Sequence, residues 1–446
     1  MDYTFTDRNG QLSFAQSKDF LQIPNCLHNF ISTGTDVVSE EDGTTRFCFR
    51  GSLTIEEEDR RCPDCGGKMH VHTGRENTLK HLPFGSSPSL VKYSHVQFRC
   101  PVCRKTVSQY VPFKAEGFRI TEQLRTFICD LLATGTYTLK MVAEATGVDE
   151  NTVKAIDLQR LQEKYLDENG VLKKPDEHAY FLGIDEFKLH NSHKYATHII
   201  NMETGHILWI AEGKKKQVVY DFINHVGLEW MDNVEAIACD MNSDFQEAFE
   251  EKCPHIQPVF DYFHIVKNFN DKVISEIRKD EVRRLIDEGN IEGAKSLKRS
   301  RYILTSSRDT LLKKDAFLSQ NGQEEWLATR YEDLLAENEL LFTADLLKTK
   351  LSQAYKLTDE AKMAEEITEI IEICDSTGNK HFQWFGRLLL NHFEGVIAHA
   401  TYRISAGKIE GINNRIKTLR RHGYGYPDDD YFFLKLYDMS RSHDRP

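Results

Sequence analysis

No apolar run in this 446-residue chain approaches the roughly 20 residues that a membrane-crossing helix needs. The opening Met-Asp-Tyr-Thr-Phe-Thr-Asp has no basic stretch followed by an apolar one, so no secretory leader is expected and a cytoplasmic protein is. There is no internal repeat and no low-complexity tract. Nor is there a basic excess: 57 Lys+Arg stand against 69 Asp+Glu, a net charge of −12. Taken whole, that balance speaks against nucleic acid. Its distribution does not, because residues 1–60 hold eleven acids and five Lys+Arg, whereas residues 61–125 hold eleven Lys+Arg and four acids. A local basic footprint survives a global acid excess. The remaining composition is that of an ordinary globular protein, long enough for roughly two to four domains.

The ten cysteines include two Cys-x-x-Cys pairs, Cys62/Cys65 and Cys100/Cys103. In a large cytoplasmic chain, such pairs point to a metal rather than to a disulfide framework. Each pair lets two thiolates grip one ion, and two pairs complete a tetrahedral, closed Zn²⁺ site, which is structural rather than catalytic. Residues 66–99 separate the pairs, more than the roughly 15–20 residues of a compact ribbon, so strands or a loop are expected between them. His70, His72, His81 and His95 lie nearby as alternative ligands, but four cysteines suffice.

A helical region is expected from about Thr121 to Leu166. Within it Ala143 stands four residues before Gly147, and Val148, Val153 and Ile156 follow at core spacing. A small residue that lets helices approach and a glycine that turns the chain make a helix–turn–helix pattern. Its second helix would present Glu150, Asn151 and Lys154, with Asn151 and Lys154 as DNA contacts. A plain structural helical hairpin is the alternative.

From Ala179 the apolar period changes. Strands are expected at 180–189, 195–201, 206–211, 234–239 and 257–260, with helices at 218–230 and 245–249, which is an α/β layer arrangement. Three acids fall where an RNase H-like fold brings carboxylates together: Asp185 on the first strand, Asp240 at the end of the fourth, and Glu410 on a late helix. Three converging carboxylates can hold two Mg²⁺ (or Mn²⁺) ions for phosphodiester chemistry. Glu186 and Asp244 are close decoys. Asp261 and His264, one helical turn apart, read either as an N-cap beside an incidental histidine or as a structural brace or DNA contact beside the metal site.

Between Thr401 and Tyr426, Glu410 is the one carboxylate among six Lys and Arg. On a helix starting at Gly407 and stopping at Gly423, Glu410, Asn414, Lys417 and Arg421 share a stripe. Ile409, Ile412, Ile416 and Leu419 lie opposite. Lys408, Asn414, Arg415, Lys417, Arg420 and Arg421 are the expected phosphate and DNA contacts.

Four blocks resemble the bacterial ISL3 family of insertion-sequence transposases: Ile-Asp-Glu-Phe-Lys around Asp185, Asp-Met-Asn from Asp240, Asp-x-Phe-His-x-x-Lys-Asn from Asp261 to Asn268, and Glu-Gly-Ile-Asn-Asn-x-Ile-Lys from Glu410 to Lys417. Two departures are Ala406-Gly407 where the family often has Asn-Gly, and His392, with Trp384 upstream, where it often has Trp. The resemblance implies a DDE transposase, with Asp185, Asp240 and Glu410 as metal-binding acids and an all-α insertion in the RNase H-like domain. The implied organisation is an acidic segment at 1–60, a zinc-binding domain at 61–113, a helix–turn–helix domain at 114–170, catalytic parts at 176–265 and 396–446, and the insertion at 266–395. The implied partner is double-stranded DNA, both element ends and target, in the bacterial nucleoid, bound by at least a homodimer and without a membrane. A non-enzymatic zinc and helix–turn–helix regulator, or a structure-specific nuclease of the same fold, are the alternatives.

Overall fold

The computed structural model describes residues 27–39, 45–85, 87–190, 194–241, 243–321, 326–405, 407–423 and 426–441, preceded by two short strands, Phe5–Thr6 and Leu12–Ser13. The chain divides into two compact units. One joins Met1–Lys173 with His422–Pro446, and the other is Lys174–Arg421.

The first unit is built on a sheet of β1 (Phe30–Ser39), β2 (Thr45–Leu53), β3 (His70–Phe84) and β4 (Ser87–Arg99), in the order β1-β2-β4-β3, with β5 (Thr106–Ser108) paired to β4. The period-two pattern of β4 turns Ser89, Val91, Tyr93 and His95 inward. Val91 and Tyr93 pack with Leu27, Phe49, Leu79 and Phe113. The acidic segment expected at 1–60 therefore contributes two strands to the sheet that carries the cysteine pairs. Between the cysteine pairs, where strands or a loop were expected, β3 and β4 pair as a long antiparallel hairpin.

Three helices follow: α1 (Glu122–Ala133), α2 (Leu139–Thr146) and α3 (Glu150–Tyr165). Thr121, Thr138 and Asp149 cap them, each accepting the N–H of the third residue on. Gly147 closes α2 at φ 68°, a conformation that a side chain resists, and α3 starts after Val148 and Asp149. The Lys80 ammonium of β3 donates to the Gly147 carbonyl and holds this turn.

In the second unit β6 (Phe181–Lys188), β7 (Tyr195–Asn201) and β8 (Ile207–Glu212) form an antiparallel meander. After α4 (Lys216–Val226), β9 (Ala236–Cys239) lies parallel to β6 on its other side. After α5 (Ser243–Lys252), β10 (Gln257–Phe260) lies parallel to β9. The sheet order is β8-β7-β6-β9-β10. The helix expected at 218–230 breaks at Gly227, where φ is 93°. From α6 (Tyr262–Phe269) onward this unit contains only helices and connections among the described residues. Two of these helices, Leu327–Ala336 and Glu339–Ala354, are divided by Asn338, which caps the second. Sheet and helices share one core, in which Ile184 and Ile237 belong with Phe260, Phe269, Leu351 and Phe385.

The chain ends this unit with α7 (Gly407–His422) and returns to the first unit with α8 (Asp429–Ser440). This differs from a catalytic second part running through 446. The reason is a buried ionic cluster between α3 and α8. Fully buried Asp157 accepts from Arg160 at 2.7 Å, Lys435 at 2.9 Å and the Tyr431 hydroxyl at 2.7 Å. Asp438 accepts from Arg160 at 2.9 Å, Lys164 at 2.8 Å and Tyr165 at 3.0 Å. Burial pushes the Asp438 carboxyl up, but Arg160 and Lys164 outweigh it and bring it down to about 2. Buried charges persist only with such partners.

Candidate functional site

Two sets of candidate ligands matter, one in each unit. In the first, the Sγ atoms of Cys62 and Cys103, and those of Cys65 and Cys100, lie 3.5 Å apart, and those of Cys65 and Cys103 lie 3.7 Å apart. A tetrahedron of metal–sulfur bonds of about 2.3 Å has edges of about 3.8 Å, so the four thiols fit one ion. The backbone N–H groups of Cys65 and Asp64 lower the Cys62 thiol, and that of Cys103 helps bring Cys100 down to about 7. This favours thiolates at Cys62 and Cys100, whereas hydrogen bonds with the neighbouring thiols help raise Cys65 and push Cys103 up to about 12. Among the described residues this is the one group of three or more His, Cys, Asp or Glu whose ligand atoms all lie within 4.8 Å. Of the nearby histidines, His81 is buried against the Thr121 hydroxyl at 2.8 Å and His95 against the Tyr93 ring, while His70 and His72 are exposed.

The second set is the three acids, carried by the sheet and one helix, whose ligand atoms do not all lie within 4.8 Å of one another. β9 pairs with β6 up to Ala238, which faces Gly183; Asp240 follows the end of β9 and Asp185 lies two residues beyond Gly183 in β6, so the same register carried two residues past the pairing would bring the two acids level. Adjacent strands stand about 4.8 Å apart. Each carboxylate takes the N–H of its successor: Glu186 to Asp185 at 2.8 Å, and Met241 to Asp240 at 2.7 Å.

Helix α7 brings Glu410. Its buried face is Ile409, Ile412 and Ile416, and its exposed stripe is Glu410, Asn414, Lys417 and Arg421, the two faces its sequence predicts. It lies so close to the sheet that a Cβ on Gly183 would fall 2.5 Å from Met202 Sδ and 2.8 Å from Ile409 Cδ1. Three polar contacts fasten it: Lys408 Nζ to the Met202 carbonyl at 2.7 Å, Asn413 Nδ2 to Asp185 Oδ2 at 2.6 Å, and Arg420 to the Lys188 carbonyl at 2.6 Å. The spacings agree. Ile409 meets Gly183 and Asn413 meets Asp185, which is four helical residues, about 6 Å, against two strand residues, about 6.6 Å. The helix runs along β6 in step with it.

Asp261 is the N-cap of α6, accepting the Phe263 N–H at 2.9 Å, while His264 places Nδ1 3.5 Å from Asp240 Oδ1. The N-cap and the brace readings therefore each describe one residue. A cavity of about 380 Å³ opens beside these groups, and Glu410, Gly407, Asp261, Phe263, Tyr355 and Lys356 help line it. Burial lowers the His392 imidazole, whose ring meets Phe260 edge-on at 5.1 Å.

The basic residues divide. Lys417 and Arg421 are exposed, with Asn414. Lys408 and Arg420 bond backbone carbonyls, and burial lowers the half-buried Arg415. On α3, Asn151 is exposed, but Lys154 lies 3.7 Å from Asp428 and 5.1 Å from the centre of the Tyr431 ring. Sequence reasoning missed Asn413, His198 and Gly183. Asn413 had a signal, one turn beyond Glu410 in Asn413-Asn414, but helical phase alone favoured its neighbour.

The profile of the ISL3-type DDE transposases, described as Transposase, matches residues 182–436. The chain belongs to the ISL3 transposase family. The transposase for insertion sequence element IS1001 of Bordetella parapertussis is 25% identical over 84% of this chain and 87% of its own length. The transposase for insertion sequence element IS1557 of Mycobacterium tuberculosis is 22% identical over 55% of this chain and 56% of its own. The ISL3 match begins within β6 and ends within α8, so it spans all three acids. Among the described residues, no helix is long and apolar enough to cross a membrane.

Proposed function

We propose that the chain is a DDE transposase. Asp185, Asp240 and Glu410 are its metal-binding acids, on an RNase H-like sheet interrupted by the helical insertion. The observation that carries the reading is that Asn413 ties the Glu410 helix to the Asp185 carboxylate, and the parallel pairing of β9 with β6, which ends two residues short of Asp240, supports it. The sheet order, a three-strand meander followed by two parallel strands, supports the RNase H-like assignment.

The donor set fits the group it would hold. Carboxylate oxygens suit Mg²⁺ or Mn²⁺, and Asp185, Asp240 and Glu410 would hold two such ions. When bound, such a pair stabilises the attacking and leaving oxygens of an in-line phosphodiester displacement. The chain supplies the rest. His264 steadies Asp240 from the side of the insertion. Lys417 and Arg421, on the stripe of Glu410, hold backbone phosphates and orient the strand. Water first cuts the element end and leaves a 3′-hydroxyl, which then attacks target DNA.

The four cysteines hold a structural Zn²⁺, and α2 and α3 form a helix–turn–helix that reads the terminal inverted repeats. Asn151 is the exposed contact at the start of α3. Two ends must be paired, so the working form is at least a dimer.

The test is Mg²⁺-dependent cleavage of DNA carrying the inverted repeats that flank the gene. Wild type cuts at the ends, and Asp185→Ala loses the activity by about a thousandfold or more. Undiminished cutting by Asp185→Ala refutes the assignment. Equal cutting of branched DNA without repeats replaces transposase by structure-specific nuclease.

A further inference from the structure

The Asp185 carboxylate is held from two sides. Oδ1 accepts the Glu186 N–H, and Oδ2 accepts the Asn413 side chain at 2.6 Å. An ionised carboxylate has no proton to give, so the amide nitrogen of Asn413 must face it. The amide oxygen of Asn413 then faces His198 Nε2 at 3.0 Å, and that nitrogen must carry the imidazole proton. His198 is fully buried on β7, opposite Asp185 in the strand pairing. The result is a directed chain of donors, from His198 through Asn413 to Asp185, linking two strands and α7.

We propose that Asn413 is a positioning residue that sets the Asp185 carboxylate for metal binding and fixes the phase of the Glu410 helix. His198 is the donor that locks the Asn413 amide. The proposal rests on the metal-site reading above and deepens it. A carboxylate offers about four lone-pair positions, and the two donors occupy two of them, leaving the others for cations. The neutral amide is the informative choice. A Lys or Arg in its place would neutralise the charge a cation needs, whereas an amide orients the carboxylate and leaves that charge intact. Asn413 also lies one turn from Glu410, so the bond that holds Asp185 also holds the third acid over the same strand.

The experiment is a Mn²⁺ titration of the zinc-loaded, DNA-free full chain, with free Mn²⁺ read by electron paramagnetic resonance. Circular dichroism and melting are recorded on the same samples. Asp185→Asn defines the site by abolishing it. Asn413→Ala binds Mn²⁺ about 10- to 100-fold more weakly, the usual cost of losing a partner that orients a ligand, with its helix content retained. His198 supplies the arm that a structural role would not move. His198→Gln keeps a donor near the Nε2 position and stays close to wild-type affinity, while His198→Leu removes the donor and weakens binding in the direction of Asn413→Ala. Wild-type affinity in Asn413→Ala overturns the proposal, as does equal behaviour of the two His198 variants. An isotherm that Asp185→Asn leaves unchanged removes the metal-site reading itself, which the DNA-cleavage assay tests separately.

Discussion

The cysteine cage and the acid site are made in opposite ways. The cage takes its four ligands from two tight turns joined by one antiparallel hairpin, so a single ladder from His70↔Arg99 to Phe84↔Ser87 aligns them. The proposed acid site would take one ligand from β6, one from the residue after β9 and one from a helix that follows the helical stretch. Nothing local would align those three. A parallel register, a glycine that admits a helix, and an amide bridge are what the proposal relies on. A closed structural cage is complete by itself, whereas an open catalytic site depends on the packing around it.

The largest effect expected from breaking this contrast is metal removal. A strong chelator, or Cys100→Ser, should take one equivalent of zinc from the protein and collapse the hairpin of the first unit, since binding energy at a structural zinc site is folding energy on the order of 10 kcal/mol. Limited proteolysis should then open residues 61–113 while the 174–421 unit stays protected. A chain that keeps its hairpin protected after zinc loss would show that the sheet core of Phe49, Val91, Tyr93 and Phe113 suffices alone.

Gly183→Val probes the other side. Two branched methyls must enter where a single Cβ already lies 2.5 Å from Met202 Sδ and 2.8 Å from Ile409 Cδ1. Overpacking of this kind costs about 1–3 kcal/mol. The easier relaxation is a lift of α7, which stretches the Asn413–Asp185 bond. The second unit should melt earlier and Mg²⁺-dependent cleavage should fall, while zinc content stays at one equivalent. Unchanged cleavage in a chain that melts earlier would separate the packing of α7 from the placing of Glu410.

The same contrast explains what was legible in the sequence. Cys62, Cys65, Cys100 and Cys103 announce themselves because their spacing is their geometry. The apolar and polar faces of α7 were equally plain, because helical period alone sets them. Asp185, Asp240 and Glu410 were legible as residue types on expected elements: within a strand, at a strand end and on a late helix. Their level on the sheet would come from pairing, which no single segment encodes. Lys408 and Arg420 illustrate the limit: charge alone marks them for phosphate, but the carbonyls of Met202 and Lys188 lie within their reach, and only the fold shows that. The joining of residues 422–446 to the first unit was hidden for the same reason. Asp157 and Asp438 look like solvated helix positions until their partners across α3 and α8 are seen.

The smallest expected effect concerns pH and sharpens the contrast from within the first unit. His81 is buried beside Phe49 and Thr121, and burial lowers its imidazole to about 4. In the unfolded chain it titrates near 6.5. Above that value neither state binds the proton, and His81 adds no pH dependence. Between about 6.5 and 4 the unfolded chain takes a proton that the folded one refuses, so stability falls as pH falls. Below about 4 the loss levels off. The total is at most about 3 kcal/mol, since a tenfold difference in proton affinity between the two states is worth about 1.4 kcal/mol. Thiolate protonation also releases zinc in acid, so the comparison must be differential. In zinc-saturating buffer, melting of the first unit in wild type and in His81→Asn should diverge at neutral pH and converge toward pH 4, with the variant showing the shallower slope. Parallel slopes would assign the acid lability to the cysteine cage alone.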